Sequence, residues 1–444
     1  MVKALSFLFG FFILTFHQLT FAVALERAGI TTATLNNGLK IIIKVDNRAP
    51  VFISQLWYRV GASDEKRPTT GVSHMLEHMM FKGTTAYPAG DFSKIIARNG
   101  GEENAFTSKD YTAYYQEMHT SKLALALKLE ADRMRHLTFS GVELAKERQV
   151  VIEERRLRVE DNPIAKVYEN LSLISFDKNG AYHAPVIGFQ QDLDYYNLGH
   201  LRDWYKKYYT PNNATLVVVG DVNPTEVIAL AKRYFGGYTR NPNVANIDTP
   251  SITQSAQSRV LKLKAKLPFY VLSFPVPSLK TAKDKHNAWS LDMLAYVLDN
   301  ALAKTLVRNQ QIASNISVGY RLYDRYNTIF TLGFIAAQGV NNQTVLAAIK
   351  TQIAKLIAHP ELIQGELSRT KAQLEADFVF KQDKISTQSY YLGMLSSVGL
   401  EIENMFNYVD KMNGINADDV AQAAKQYLDF SQANSVELIP QGVK

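Results

Sequence analysis

The stretch GVSHMLEHMMFKGT, residues 71–84, sets two histidines and a glutamate within five positions of an otherwise apolar run. If residues 72–82 are helical, His74 and His78 stand one turn apart on a single face, where both imidazoles can reach one cation. Glu77 projects to the same side, about 60° away around the axis. Two imidazoles supply two ligands of a tetrahedral metal, and a neighbouring carboxylate can take a proton from water that the metal activates. A helix that merely carries polar residues on a solvated face is the other reading. Burying three polar groups without a partner is costly, which favours the metal.

A catalytic zinc wants a third protein ligand and one open position. The chain has no cysteine, so histidine and carboxylate must supply every ligand. KERQVVIEERRLR (146–158) offers Glu147 and Glu154, with Val150 and Val151 between them on the expected helical face. Taken alone, Glu147, Glu153 and Glu154 read better as residues of a solvated helix paired with the adjacent arginines.

These candidates need a scaffold. TLNNGLKIIIKVD (34–46) is a hairpin signal, with Asn37-Gly38 between apolar residues. VFISQLWYRVG (51–61) reads as a buried strand, and 102–119, rich in Thr and Tyr, should supply further strands. Helices are expected at 122–137 and 141–160, a strand at 214–222 and a helix at 224–238. Residues 239–258 lose the apolar period and gain Asn, Pro, Ser and Thr, as a linker does. Beyond them the pattern repeats: a strand at 269–278, a polar loop, and a helix at 288–307. Ser73 aligns with Ser290 (290 − 73 = 217) and Glu143-Leu144 with Glu366-Leu367 (366 − 143 = 223), which suggests a duplicated domain. At the first offset His74, Glu77 and His78 face Leu291, Leu294 and Ala295, so one metal site per chain is expected. The fold class is α+β, as two similar tandem domains: 25–240, and 259–444 after a linker at 241–258.

The 444 residues are 46% hydrophobic and 20% charged, a globular composition. The charge of +7 is spread over 49 basic and 42 acidic residues without a basic-aromatic stripe, so nucleic-acid binding has no support. Residues 1–24 carry an early Lys, an apolar run and Ala22-Val23-Ala24, the pattern of a signal peptide cut after Ala24. An N-terminal anchor is the alternative, but His17 and Gln18 leave the apolar run short for a span. Export without disulfides leans toward a bacterial periplasm.

These residues resemble the pitrilysin/insulinase-like zinc metallopeptidases, inverzincins with the order H-x-x-E-H, a group that includes mitochondrial processing peptidase. The resemblance rests on HMLEH (74–78), on ERQVVIEE (147–154), and on their separation of 154 − 78 = 76 positions. GGEENAFTSKDYTAYY (100–115), YHAPVIG (182–188) and YYTPNNATLVVVGDV (208–222) extend it over nearly the whole mature chain. It implies a zinc ion on His74, His78 and Glu154, Glu77 as general base, and Glu147 as the carboxylate that orients the site. It also implies that substrate peptide lies along an edge strand at Asn104, Ala105 and Phe106, and that paired α+β domains form a clamshell-like peptidase. Single-chain relatives carry an Arg and a Tyr seven positions apart in the second half. Here Val307 and Ser314 stand at those positions, and Arg308 and Tyr320 have the wrong spacing. In heterodimeric relatives a partner supplies the pair, so a homo- or heterodimer with a sister subunit is expected. The resulting expectation is an exported zinc endopeptidase acting on peptides or unfolded segments. The alternative is a non-catalytic peptide-binding subunit of a heteromeric complex.

Overall fold

Around Asn37-Gly38 the chain reverses as the sequence pattern predicts: β1 (Ile30–Thr34) pairs antiparallel with β2 (Lys40–Val45). Gly38 takes a left-handed φ of 90°, and a Cβ there would fall 2.7 Å from Asn212. The structure, a computed structural model, describes residues 29–244, 252 and 256–442. The expected signal peptide, 1–24, lies outside the described residues, and the expected linker, 241–258, lies partly outside them. Among the described residues no helix is long and apolar enough to cross a membrane.

The strands β3 (Val51–Tyr58), β4 (Glu102–Thr107), β5 (Thr112–His119) and β6 (Ala214–Gly220) complete a six-stranded sheet. Its order is β1-β2-β6-β3-β5-β4, which leaves β4 at an edge. Every residue of β6 is buried, which accounts for a sequence that is apolar but for Thr215. One face carries helices of the same half, including α1 (Val72–Met79) and α2 (Gly141–Arg155). α2 runs on into a wider π turn at Arg156–Glu160. Asn162 then caps α3 (Pro163–Ser175), with proline at the first helical position.

The second half repeats this plan. β7 (Ser258–Leu263), β8 (Phe269–Val276), β9 (Ala313–Gly319), β10 (Thr328–Ala336) and β11 (Asn434–Pro440) form a sheet in the order β7-β11-β8-β10-β9. This matches β2-β6-β3-β5-β4 strand for strand. Helices α4 (Lys285–Leu302) and α5 (Gln364–Gln382) take the places of α1 and α2. The chain is therefore two tandem α+β domains.

Strand starts correct the expected register by one residue. β2 and β7 begin 258 − 40 = 218 positions apart, as do β3 and β8 at 269 − 51 = 218. Contacts between the paired helices agree. The Lys82–Glu147 ion pair (2.6 Å) recurs as an Asn300–Thr370 hydrogen bond (3.4 Å), at 300 − 82 = 218 and 370 − 147 = 223. His74, Glu77 and His78 thus stand opposite Asp292, Ala295 and Tyr296, not Leu291, Leu294 and Ala295. An apolar helix offers too few distinctive residues for a single serine match to fix its register.

The halves exchange helices. Val167, Leu171 and Ile174 of α3 pack on Phe269, Val271 and Val436 of the second sheet. In return Leu392, Leu395 and Val398 of α6 (Ile385–Val398) cover Trp57, Val217 and Val219 of the first. Gly393 lies so close to Trp57 that a Cβ would fall 2.1 Å from the indole, so only glycine fits. Each sheet is buried between its own helices and one from the other half.

Candidate metal centre

The helix that carries HMLEH starts on a buried acid. Gly71 offers no capping side chain, and the Glu65 carboxylate accepts the N–H groups of Gly71 (2.5 Å) and Ser73 (2.8 Å) instead. Burial pushes the Glu65 carboxyl up to about 8, against these two donors. Gly71 has φ 85° and meets Ile187 and Gly188 so closely that a Cβ would fall 2.6 Å from the Ile187 carbonyl oxygen. Val72, Met75, Leu76 and Met79 then turn into the core. The 3.6-residue period leaves His74, Glu77 and His78 facing α2 and β4.

Three ligand atoms converge there. His74 Nε2 lies 3.7 Å and His78 Nε2 3.5 Å from Glu154 Oε2, and the potential ligand atoms of all three residues lie within 4.8 Å of one another. Among the described residues no other group of three potential metal ligands lies so close together. The free oxygen of Glu154 accepts from Arg158 at 2.7 Å. Glu147 binds His78 Nδ1 at 3.0 Å and Lys82 Nζ at 2.6 Å, which leaves His78 Nε2 free to face the cluster. Of the two expected valines, Val151 shares the buried face, whereas Val150 points outward and is 49% exposed. Glu77 accepts the hydroxyl of Thr107 from the end of β4. Thr107, Lys82 and Arg158 were not singled out by the sequence pattern, because none of them belongs to the ligand spacing.

The electrostatics suit a cation. Burial and the neighbouring His78 push His74 down to about 4, against the pull of Glu154, so its imidazole is neutral at pH 7. For His78 burial opposes charge, but hydrogen bonds to Glu154 and Glu147 outweigh it and raise the pKa. The His78 hydrogen bond in turn holds Glu154 below its ordinary value. Burial raises Glu77, with the Thr107 hydroxyl as a partial counterweight. His74 Nδ1 is buried without a partner, and a cation among the three residues would engage the other nitrogen of that ring. Two nitrogens and one carboxylate oxygen form a donor set that fits zinc.

Asn104, Ala105 and Phe106 lie on β4, whose outer edge has no neighbouring strand among the described residues. The Ala105 amide is held by the side-chain oxygen of Asn104 at 2.8 Å, and Phe106 packs edge-on to Trp57 at 5.2 Å. In the second half Ser314 lies on the edge strand β9 and bonds the Ile335 carbonyl at 3.3 Å, and Val307 lies in the π turn after α4.

The chain matches known proteins in the same terms. Residues 40–185 match the family described as insulinase (peptidase family M16), and 196–374 match the peptidase M16 inactive domain. Zinc protease PqqE of Helicobacter pylori is 31% identical over 425 residues, covering 92% of each chain. The uncharacterised zinc protease YmxG of Bacillus subtilis is 25% identical, covering 91% of this chain and 97% of its own. A crystal structure of a protease from Helicobacter pylori superposes with a TM-score of 0.85 at 28% identity, over 93% of this chain and 99% of that one. The periplasmic protease PqqL of Escherichia coli gives 0.76 at 19% identity, over 93% of this chain but 48% of its own. Both matches are to this one family; the peptidase part falls in the first half, and the inactive part runs from the end of the first half into the second. The chain belongs to peptidase family M16, the insulinase family.

Proposed function

We propose that the protein is an exported zinc endopeptidase that hydrolyses peptides or unfolded polypeptide segments. His74, His78 and Glu154 would hold one zinc ion, and Glu77 would act as general base. The observation that carries this reading is the convergence of three ligand atoms beside Glu77, a carboxylate that is not itself part of the cluster. A zinc ion held there supplies a Lewis acid that acidifies water and polarises a carbonyl. Glu77 accepts the proton from the attacking water and delivers it to the leaving amine, and its raised affinity for protons suits both steps. Thr107 aims that carboxylate and ties it to β4. Along β4 an extended peptide would add as a further strand, so recognition rests on backbone hydrogen bonds more than on sequence. The test is cleavage of an unstructured peptide by protein of measured zinc content, before and after chelation. Undiminished cleavage by the metal-free protein would refute the reading.

Two substitutions probe the supports. Glu147→Gln is expected to weaken zinc binding by about 10- to 100-fold, measured by chelator competition, because His78 loses its orienting partner. Thr107→Val is expected to lower kcat by about 10- to 100-fold at unchanged zinc content, the worth of one hydrogen bond to a charged group. A loss confined to KM would instead mean that Thr107 serves only to shape β4.

The active assembly is proposed to contain a second unit. The Arg and Tyr pair is missing here, and the chain spans about half of PqqL, a protein described as periplasmic. A sister subunit or a second copy would supply that other half. Full peptidase activity in the monomeric chain would count against it. Export is proposed from residues 1–24 and would be checked by N-terminal sequencing of the mature protein.

A further inference from the structure

In the second half, the place of the metal cluster is taken by a cavity. α4 carries Asp292 and Tyr296 one turn apart, and α5 carries Asp377 and Lys381 one turn apart. These positions correspond to His74 and His78 (offset 218) and to Glu154 and Arg158 (offset 223). All four line one pocket of about 310 Å³, at the low end of the volumes that hold small ligands, roughly 300–1,000 Å³.

The lining is specific in character. Tyr323, Tyr391 and Tyr408 join Tyr296 in the wall, so tyrosine rings make up much of the lining. Asp292 is 7% exposed; its Oδ2 accepts the Tyr408 hydroxyl at 2.9 Å, and its other oxygen has no hydrogen-bond partner among the described residues. Among the described residues no cation forms an ion pair with it, and burial pushes its carboxyl up to about 7, against the Tyr408 hydrogen bond and the charge of Lys381. Two other acids of the wall are already engaged: Asp110 accepts from Ser63 and Tyr182, and Asp324 from Arg321 and Thr328. Asp377 is exposed at the pocket and unpaired among the described residues, so two acids face the single free cation Lys381. A buried carboxylate among tyrosine rings suits a positive charge, through ion pairing and cation–π contact.

The pocket also adjoins the proposed substrate strand. Phe106 of β4 packs against Tyr390 (5.9 Å) and Tyr111 (6.3 Å), and both tyrosines line the cavity. We propose that this pocket binds the cationic side chain of an arginine or lysine in the peptide substrate, so that the non-catalytic half selects basic peptides. The proposal deepens the peptidase reading and rests on it for the identity of the ligand.

The test is calorimetric titration of the full-length protein, zinc-loaded and metal-stripped, with acetyl-arginine amide and its neutral isostere acetyl-citrulline amide. The arginine compound is expected to bind at least about tenfold more tightly, equally well with and without zinc. Asp292→Asn and Asp377→Asn should each remove most of that preference. Asp377 is exposed, so its variant remains informative even if Asp292→Asn fails to fold. Equal binding of the two compounds, binding of neither, or a preference that both variants retain would overturn the proposal. Selective arginine binding by a protein that cleaves no peptide would leave the pocket standing and refute the peptidase reading instead.

Discussion

Replacing Glu77 with Gln is expected to leave zinc content unchanged and to lower peptide turnover by about 10²- to 10⁴-fold, the usual contribution of a positioned general base. Glutamine matches glutamate in shape and can still accept the Thr107 hydroxyl through its carbonyl oxygen. It cannot take a proton. The three converging ligand atoms belong to His74, His78 and Glu154, so this change leaves them in place. His78→Ala is the contrasting control: it removes a proposed ligand and should lose metal and turnover together. Parallel zinc analysis and cleavage assays on the two variants separate a chemical role from a structural one. Cleavage at the wild-type rate by zinc-loaded Glu77→Gln would sink the assigned mechanism.

Some of this centre is legible in the sequence because helical spacing is a strict rule. His74 and His78 at i and i+4 share a face in any helix, and Glu77 between them turns to the same side. The proposed third ligand, Glu154, is harder to read from residues alone. Glu153 and Glu154 are adjacent in the same charged run, yet Glu153 pairs with Arg156 in solvent at 2.9 Å while Glu154 faces the histidines. Which glutamate turns inward depends on which face of α2 meets α1, and no local pattern states that. Thr107 shows the same limit, since it meets Glu77 only because the edge of one sheet passes the end of one helix. The duplication is visible, but its offset varies along the chain, from 218 at β2/β7 and β3/β8 to 223 at α5, so a short match misplaces α4 by one residue. The helix exchange leaves no sequence trace at all. Nothing in the residues of α3 or α6 states which of the two sheets each will cover.

The join between the halves carries the second large expected effect. Arg325, from the second half, donates to Asp64 at 3.0 Å, and its backbone N–H donates to the Asp110 carboxylate at 3.0 Å. Its guanidinium also binds the Asp110 carbonyl. The side chains of Arg325 and Asp64 are 10% and 2% exposed, so this is a buried pair. Arg325→Met keeps the bulk and strands the carboxylate, which is expected to cost about 3–5 kcal/mol in denaturant unfolding. The pH dependence fixes the cause. Burial raises Asp64 to about 6, against the opposing pull of Arg325 and the Gly61 amide. A carboxyl whose folded pKa exceeds its unfolded one destabilises the fold when ionised, so stability falls as pH rises from about 4 toward 6. Without Arg325 that window extends to higher pH, because nothing offsets the buried charge. The deficit of the variant should therefore be larger at pH 8 than at pH 5, where Asp64 is largely protonated in the fold. A deficit that is the same at both pH values would show that Arg325 acts through packing and not through the charge it neutralises.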